Sequence, residues 1–281
     1  MKTRNLFGKM SMILAVAVAT NLSSCKKDDE TVNGQDVADA SSESVVDANY
    51  SDADDMSTTY VQSPAVAGGR VETDSRLACA QFALGNGSTA QSGSVVIDFG
   101  SGCTDAKGNV RKGKIDLTWS NGPAGTIGFT IVETFDGYSI NGVSLIGTRT
   151  LVRETATVNN GIRHHITLAD GKATWPDNTF ATRISDFHRE FNPADSSITV
   201  DGSASGTGRL GKTYTMNITK TLVYKRSCMV NNGIYMAVQG TKLFTIDGTK
   251  EITIDFGSGA CDKTVEVTVN KVSKNVTIGL N

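Results

Sequence analysis

The chain has 281 residues, a formal net charge of −2, 38% hydrophobic and 20% charged residues, 29 glycines and only 4 prolines. Such a length allows one large domain or two ordinary ones, and the Val, Ile and Thr content supplies a core, which excludes wholesale disorder. A charge this close to zero excludes a nucleic-acid binder held by a general positive field, and no apolar run reaches the roughly 18–20 residues of a spanning helix.

The first segment reads as an address. Lys2, Arg4 and Lys9 form a basic start, and Met10 to Ala19 is an apolar stretch of signal-peptide length. It ends in Leu22-Ser23-Ser24-Cys25, an aliphatic residue and two small residues before a cysteine. That order resembles the lipobox of bacterial lipoproteins, which implies cleavage after residue 24 and a diacylglyceryl group, with further palmitate-like acyl chains, on Cys25. Loss of residues 1–24 removes three positive charges and leaves about −5. Lys26-Lys27-Asp28-Asp29-Glu30 is similar to the export tag of surface lipoproteins in Bacteroidota-type bacteria and implies an outer-membrane, cell-surface placement.

Residues 25–75 read as an acidic tether. Between 28 and 60 there are ten acids and no Lys or Arg. Such a segment is expected to be a solvated, self-repelling spacer that lifts the body off the membrane. Val37, Val45, Val46, Tyr50 and Met56 mark a weak amphipathic helix over about 36–57.

From about residue 76 to 281 the pattern changes to period two. Ile115 to Trp119, Thr126 to Phe135, Leu145 to Thr155, Thr213 to Tyr224 and Lys263 to Val272 alternate apolar and polar residues, rich in β-branched types. Asp136-Gly137, Asn141-Gly142, Asn160-Gly161, Asp170-Gly171, Asn232-Gly233 and Asp247-Gly248 supply hairpin turns. The reading is all-β: an antiparallel meander forming a sandwich or a curled open sheet, in two related halves. The glycines between Gly202 and Gly211 mark a bulged strand or the boundary between them.

Ile97-Asp98-Phe99-Gly100-Ser101-Gly102 recurs as Ile254-Asp255-Phe256-Gly257-Ser258-Gly259, each copy followed by a cysteine and an acid. With Cys25 assigned to lipid, four cysteines remain in an oxidising compartment. The repeat favours Cys79–Cys103 and Cys228–Cys261 among the three pairings. Asp98 with Asp105, or Asp255 with Asp262, has calcium-ligand chemistry, but an aspartate capping its own turn is the preferred reading.

The block from Val95 to Ile115, with Cys103 and Arg111-Lys112-Gly113-Lys114, resembles a family of uncharacterised Bacteroidota-type outer-membrane lipoproteins. Ser203 to Gly208, Lys212 to Thr219, Cys228 and Gly259-Ala260-Cys261-Asp262 extend the likeness. It implies an all-β body and surface placement and brings no catalytic residue.

Catalytic signatures are missing from the sequence: there is no nucleophile elbow, metalloprotease helix motif, phosphate loop or dinucleotide fingerprint. His164 and His165 are neighbours on a strand and face opposite ways. Asp186, His188 and Glu190 share one strand face, with Phe187 and Phe191 on the other, and form the one row with acid–base or cation-binding chemistry, an ordinary polar outer face being the preferred reading. Trp175 is a candidate sugar platform, with packing preferred, and Arg111 to Lys114 reads as a solvated basic turn. No cofactor or metal centre is expected. The expected partners are the membrane, through the anchor, and a glycan or envelope protein, with no nucleic acid. The functional expectation is a non-catalytic binding or structural module of the envelope, the alternatives being a glycan-acting surface enzyme or a carrier of a hydrophobic ligand.

Overall fold

The computed structural model describes residues 32–63, 74–232 and 234–278. Cys25 and the signal segment lie outside them.

Helix α1 (Gly34–Gln62) comes first. Fourteen strands follow: β1 (Gln81–Leu84), β2 (Gly93–Asp98), β3 (Cys103–Thr104), β4 (Val110–Ser120), β5 (Thr130–Ile140), β6 (Val143–Glu154), β7 (Ile162–Thr174), β8 (Phe180–Asn192), β9 (Ser197–Thr207), β10 (Thr213–Lys225), β11 (Gln239–Ile246), β12 (Lys250–Ser258), β13 (Thr264–Val269) and β14 (Val272–Thr277). A short helix, α2 (Arg226–Asn232), lies between β10 and β11. All pairings are antiparallel and follow chain order in one 14-stranded sheet, with β3 set aside as a short flap on β4. The outermost strands β1 and β14 each pair on one side only, so the sheet is open. The expected meander is present, as the open sheet of the two expected forms and not the sandwich.

Alternation decides which face is covered. Ile115, Leu117 and Trp119 on β4, Ile166 and Leu168 on β7, and Ile252, Ile254 and Phe256 on β12 all point to one inner face and are buried. The apolar residues form two clusters. One gathers β1 to β7 and Ala181 of β8 with α1 from Val46 onward; the other gathers Phe187 of β8 and the strands from β9 onward with Val32 and Ala40.

Bulges bend this sheet. Asp136-Gly137 and Asp170-Gly171, expected as hairpin turns, instead sit inside β5 and β7 at register shifts. Extra residues at such points leave the ladder locally unpaired and sharpen the twist. Gly202 on β9 has φ +135°, and a Cβ there would lie 2.1 Å from the Asp186 carbonyl oxygen, so only glycine permits the close approach of β9 to β8. Asn141-Gly142 and Asp247-Gly248 are tight turns as expected, both residues of each pair having positive φ. The expected strand Lys263 to Val272 is two strands, β13 and β14, because Asn270 and Lys271 both adopt positive φ and turn the chain. Asn232 ends α2 in place of a hairpin.

Helix α1 replaces the expected spacer. Asn33 starts it with a capping box: its side chain accepts from the Asp36 N–H at 3.0 Å, and the Asp36 carboxylate accepts from the Asn33 N–H at 3.0 Å. Val46, Tyr50, Ala53, Met56 and Tyr60 recur every three to four residues and, with Val61, are buried against the inner face. At 29 residues and 1.5 Å per residue the helix is about 43 Å long. It crosses the strands, with Asp36 meeting Lys250 at the start of β12 and Tyr60 stacking on Phe82 of β1 at 5.2 Å. The segment is therefore part of the core of the head.

Both expected disulfides are present. Cys79–Cys103 ties the entry to β1 to the β3 flap with Cα atoms 5.7 Å apart, and Cys228–Cys261 ties α2 to the loop after β12 at 5.2 Å. Loops of 24 and 33 residues give roughly 3–4 kcal/mol each in the chain-entropy description. The two motif copies have the same local geometry. Asp98 accepts from the Gly100 N–H at 2.7 Å, and Asp255 accepts from the Gly257 N–H at 2.8 Å, each aspartate capping its own turn.

Candidate functional site

Two concentrations of charged side chains stand out, one on each face of the sheet.

The inner one joins α1 to the strands. Glu43 and Asp47 both pair with Arg183 of β8, and Asp47 also pairs with Lys242 of β11. Asp54 takes the guanidinium of Arg149 on β6, the Nε donating at 2.8 Å. Asp52 is shared between Arg111 of β4 at 2.7 Å and Arg76 at 2.9 Å. Asp55 meets Arg76 at 2.9 Å and Arg189 of β8 at 3.3 Å. Arg111 also holds Asp105 at 2.6 Å, so Asp105 points inward and does not meet Asp98 across the loop. The expected solvated turn at Arg111 to Lys114 is corrected here: Arg111 lies on β4 with its side chain fully buried.

Burial opposes the ionised carboxylates, and the cations decide the balance. Asp47 is held below its usual range against burial by Arg183 and Lys242, and Asp55 by Arg189 and Arg76. Glu133 of β5 lies directly across from Arg149, whose donors are directed at Asp54. Burial, and then the charge of Asp54, push the Glu133 carboxyl well up.

The outer concentration lies on β6, β7 and β8. The expected row Asp186, His188 and Glu190 does share a face of β8, with Phe187 buried on the opposite one. Its members separate in role. Glu190 is buried and accepts from the N–H groups of Thr157 at 2.6 Å and Val158 at 2.9 Å, and from Arg163 at 3.2 Å. Those bonds outweigh burial and hold its carboxyl low, so Glu190 closes the β6–β7 connection.

Asp186 and His188 are joined instead by His165 of β7. His165 lies directly opposite His188; the two rings stack at 4.8 Å with 18° between their planes, and His165 Nε2 is 2.7 Å from Asp186 Oδ1. His188 Nδ1 is 2.9 Å from Glu154 Oε2, and that oxygen also accepts from Arg163 Nε at 3.1 Å. One ligand atom from each of His165, Asp186 and His188 lies within 4.8 Å of the others. His165, Glu154 and Arg163 were absent from the expected row because strand alternation orders one strand only. The register that brings them in depends on the bulge in β7.

His164 faces inward, as expected from its neighbour. Burial, reinforced by Arg153 and Arg189, lowers its imidazole to about 4 and keeps it neutral. Trp175 packs as preferred: it is buried, with the Arg209 guanidinium 4.7 Å above its ring. Trp119 is in the core, its Nε1 donating to the Thr89 carbonyl at 2.8 Å.

Neither a protein-family model, nor a curated protein, nor a solved structure matches this chain.

Proposed function

We propose that the chain is a lipid-anchored lipoprotein of the outer membrane, facing the cell surface, whose head is a non-catalytic binding or structural module of the envelope. The observation that carries this reading is the run Leu22-Ser23-Ser24-Cys25 placed directly after a basic and then an apolar segment of signal length. Two disulfides in the head are consistent with export to an oxidising compartment.

The packing of α1 changes what the anchor does. Val32 is already buried in the head and lies seven residues after Cys25. Seven residues span at most about 25 Å when fully extended. The lipid would therefore hold the head against the membrane surface, within one short leash, where a fifty-residue spacer would have let it range freely. Two or three acyl chains make that attachment lasting. The carrier reading is disfavoured, because α1 packs across the inner face that a hydrophobic ligand would need.

The test compares wild type with Cys25→Ala after labelling with an acyl-chain probe and fractionating membranes. Label on the wild type alone, with the variant released to the soluble fraction, is the expected result. Unchanged membrane association of the variant overturns the reading.

A further inference from the structure

We propose that His165, Asp186 and His188 form a surface site for a borderline divalent transition-metal ion, of which Zn²⁺ fits the donor set best. The proposal is independent of lipid anchoring.

The donor chemistry selects the ion. Imidazole nitrogens suit zinc, copper and nickel, whereas calcium and magnesium call for oxygen ligands. Two imidazoles and one carboxylate are the three protein ligands of an open zinc site, with the fourth position left to water or to a ligand atom from a partner.

The backbone fixes the arrangement. His165 and His188 occupy directly opposed positions on hydrogen-bonded strands, and Asp186 lies two residues before His188 on the same face. Ligand atoms around a tetrahedral ion with bonds near 2.1 Å lie about 3.4 Å apart, and those of the trio lie within 4.8 Å. Rotation of side chains that are one-third to two-thirds exposed would close that difference.

The surroundings match a ligating histidine. His188 offers Nδ1 to the Glu154 carboxylate, and Arg163 holds that carboxylate from the other side. Metal-bound histidines characteristically direct their second nitrogen to a carboxylate or carbonyl, which sets the ring orientation and raises its basicity. Glu154 is thus a positioning residue, which leaves Nε2 of His188 for the ion. The contact between His165 Nε2 and Asp186 Oδ1 occupies, in the metal-free protein, the place where the ion would insert. An exposed His–Asp pair alone contributes little to stability. The pair together with a second imidazole and its carboxylate support supplies three ligands and an outer-shell partner, and binding turns the two near-parallel rings so that their nitrogens converge.

The chain has only three histidines, and His164 is buried on the other face, so it serves as an internal control. The purified full chain is titrated with Zn²⁺ against a chromophoric chelator, and with Ni²⁺ while the three imidazole resonances are followed by NMR. One Zn²⁺ equivalent is expected to bind, with affinity falling in His188→Ala and in His165→Ala by more than the about 10–100-fold that loss of an outer-shell partner costs. Ni²⁺ is expected to broaden two imidazole signals and spare the third. Glu154→Gln is expected to weaken Zn²⁺ binding less than His188→Ala and to change the His188 ring-nitrogen shifts in the metal-free protein. Equal affinity in wild type and both alanine variants, or no preferential broadening in the wild-type spectrum, overturns the proposal. The wild-type spectrum decides even if a variant fails to fold.

Discussion

At the scale of single residues, Glu133 shows how a folded chain can leave a charge without its natural partner. It faces Arg149 across the β5–β6 ladder, but Asp54 from α1 takes the guanidinium. With its carboxyl raised well above the usual value, Glu133 is protonated alike in folded and unfolded chains only in acid. As pH rises through the ordinary carboxylate value near 4.3, the unfolded chain gains by ionising and the folded one does not, so stability falls. Glu133→Gln is therefore expected to raise unfolding free energy at pH 7 by roughly 1 kcal/mol or more, with the gain vanishing below about pH 4. Urea melts at both values check this; an equal effect at both contradicts it. Asp47 and Asp55 titrate in the opposite sense. Their carboxyls are held low, so their contribution is present above the ordinary carboxylate range and is lost as pH falls through their lowered values.

At the scale of elements, the lesson concerns α1. Its helical tendency is visible locally in Val46, Tyr50 and Met56, yet its acids read as solvated because no cation lies between residues 28 and 60. Their partners come from far along the chain: Arg183 lies 140 residues from Glu43, and Lys242 lies 195 from Asp47. A buried pair adds little net stability, because desolvation offsets the attraction, but loss of one partner strands the other charge. Arg183→Met is accordingly expected to cost about 3–5 kcal/mol, and combining it with Glu43→Gln to recover part of that loss. Equilibrium denaturation of the single and double variants measures it, and additive losses would contradict the coupling. The outer trio has a similar origin. Near the β7–β8 turn Lys172 faces Thr182, whereas beyond the Asp170 bulge Leu168 faces Ser185, a shift of one residue. Without that shift His188 would not face His165. Read as a turn, Asp170-Gly171 concealed the pairing.

At the scale of the whole molecule, a 14-stranded open sheet has one face to cover, and α1 covers it from β12 to β1. The two apolar clusters divide between them the two motif copies and the two disulfides, and α1 contributes to both. A helix that bridges both clusters should open only when they do. Backbone amides of α1 around Ala53 are expected to exchange with solvent at the free energy of global unfolding, alongside those of β4 and β7. Hydrogen exchange followed by mass spectrometry checks this, and exchange of the segment within seconds would return it to the role of a loose spacer.

Much of this architecture was open to reading from the chain itself. Period-two alternation is local, so strand type and the buried face of β4, β7 and β12 follow from neighbours in sequence. A repeated motif beside each cysteine pair favoured the disulfides for the same reason. What only the tertiary structure decided is where charges end. Whether the acids of α1 are solvated or buried depends on cations brought from four or more strands, and whether two histidines meet depends on a one-residue slip at a bulge. Coulomb attraction and cross-strand register act through space, and no window along the chain contains both partners.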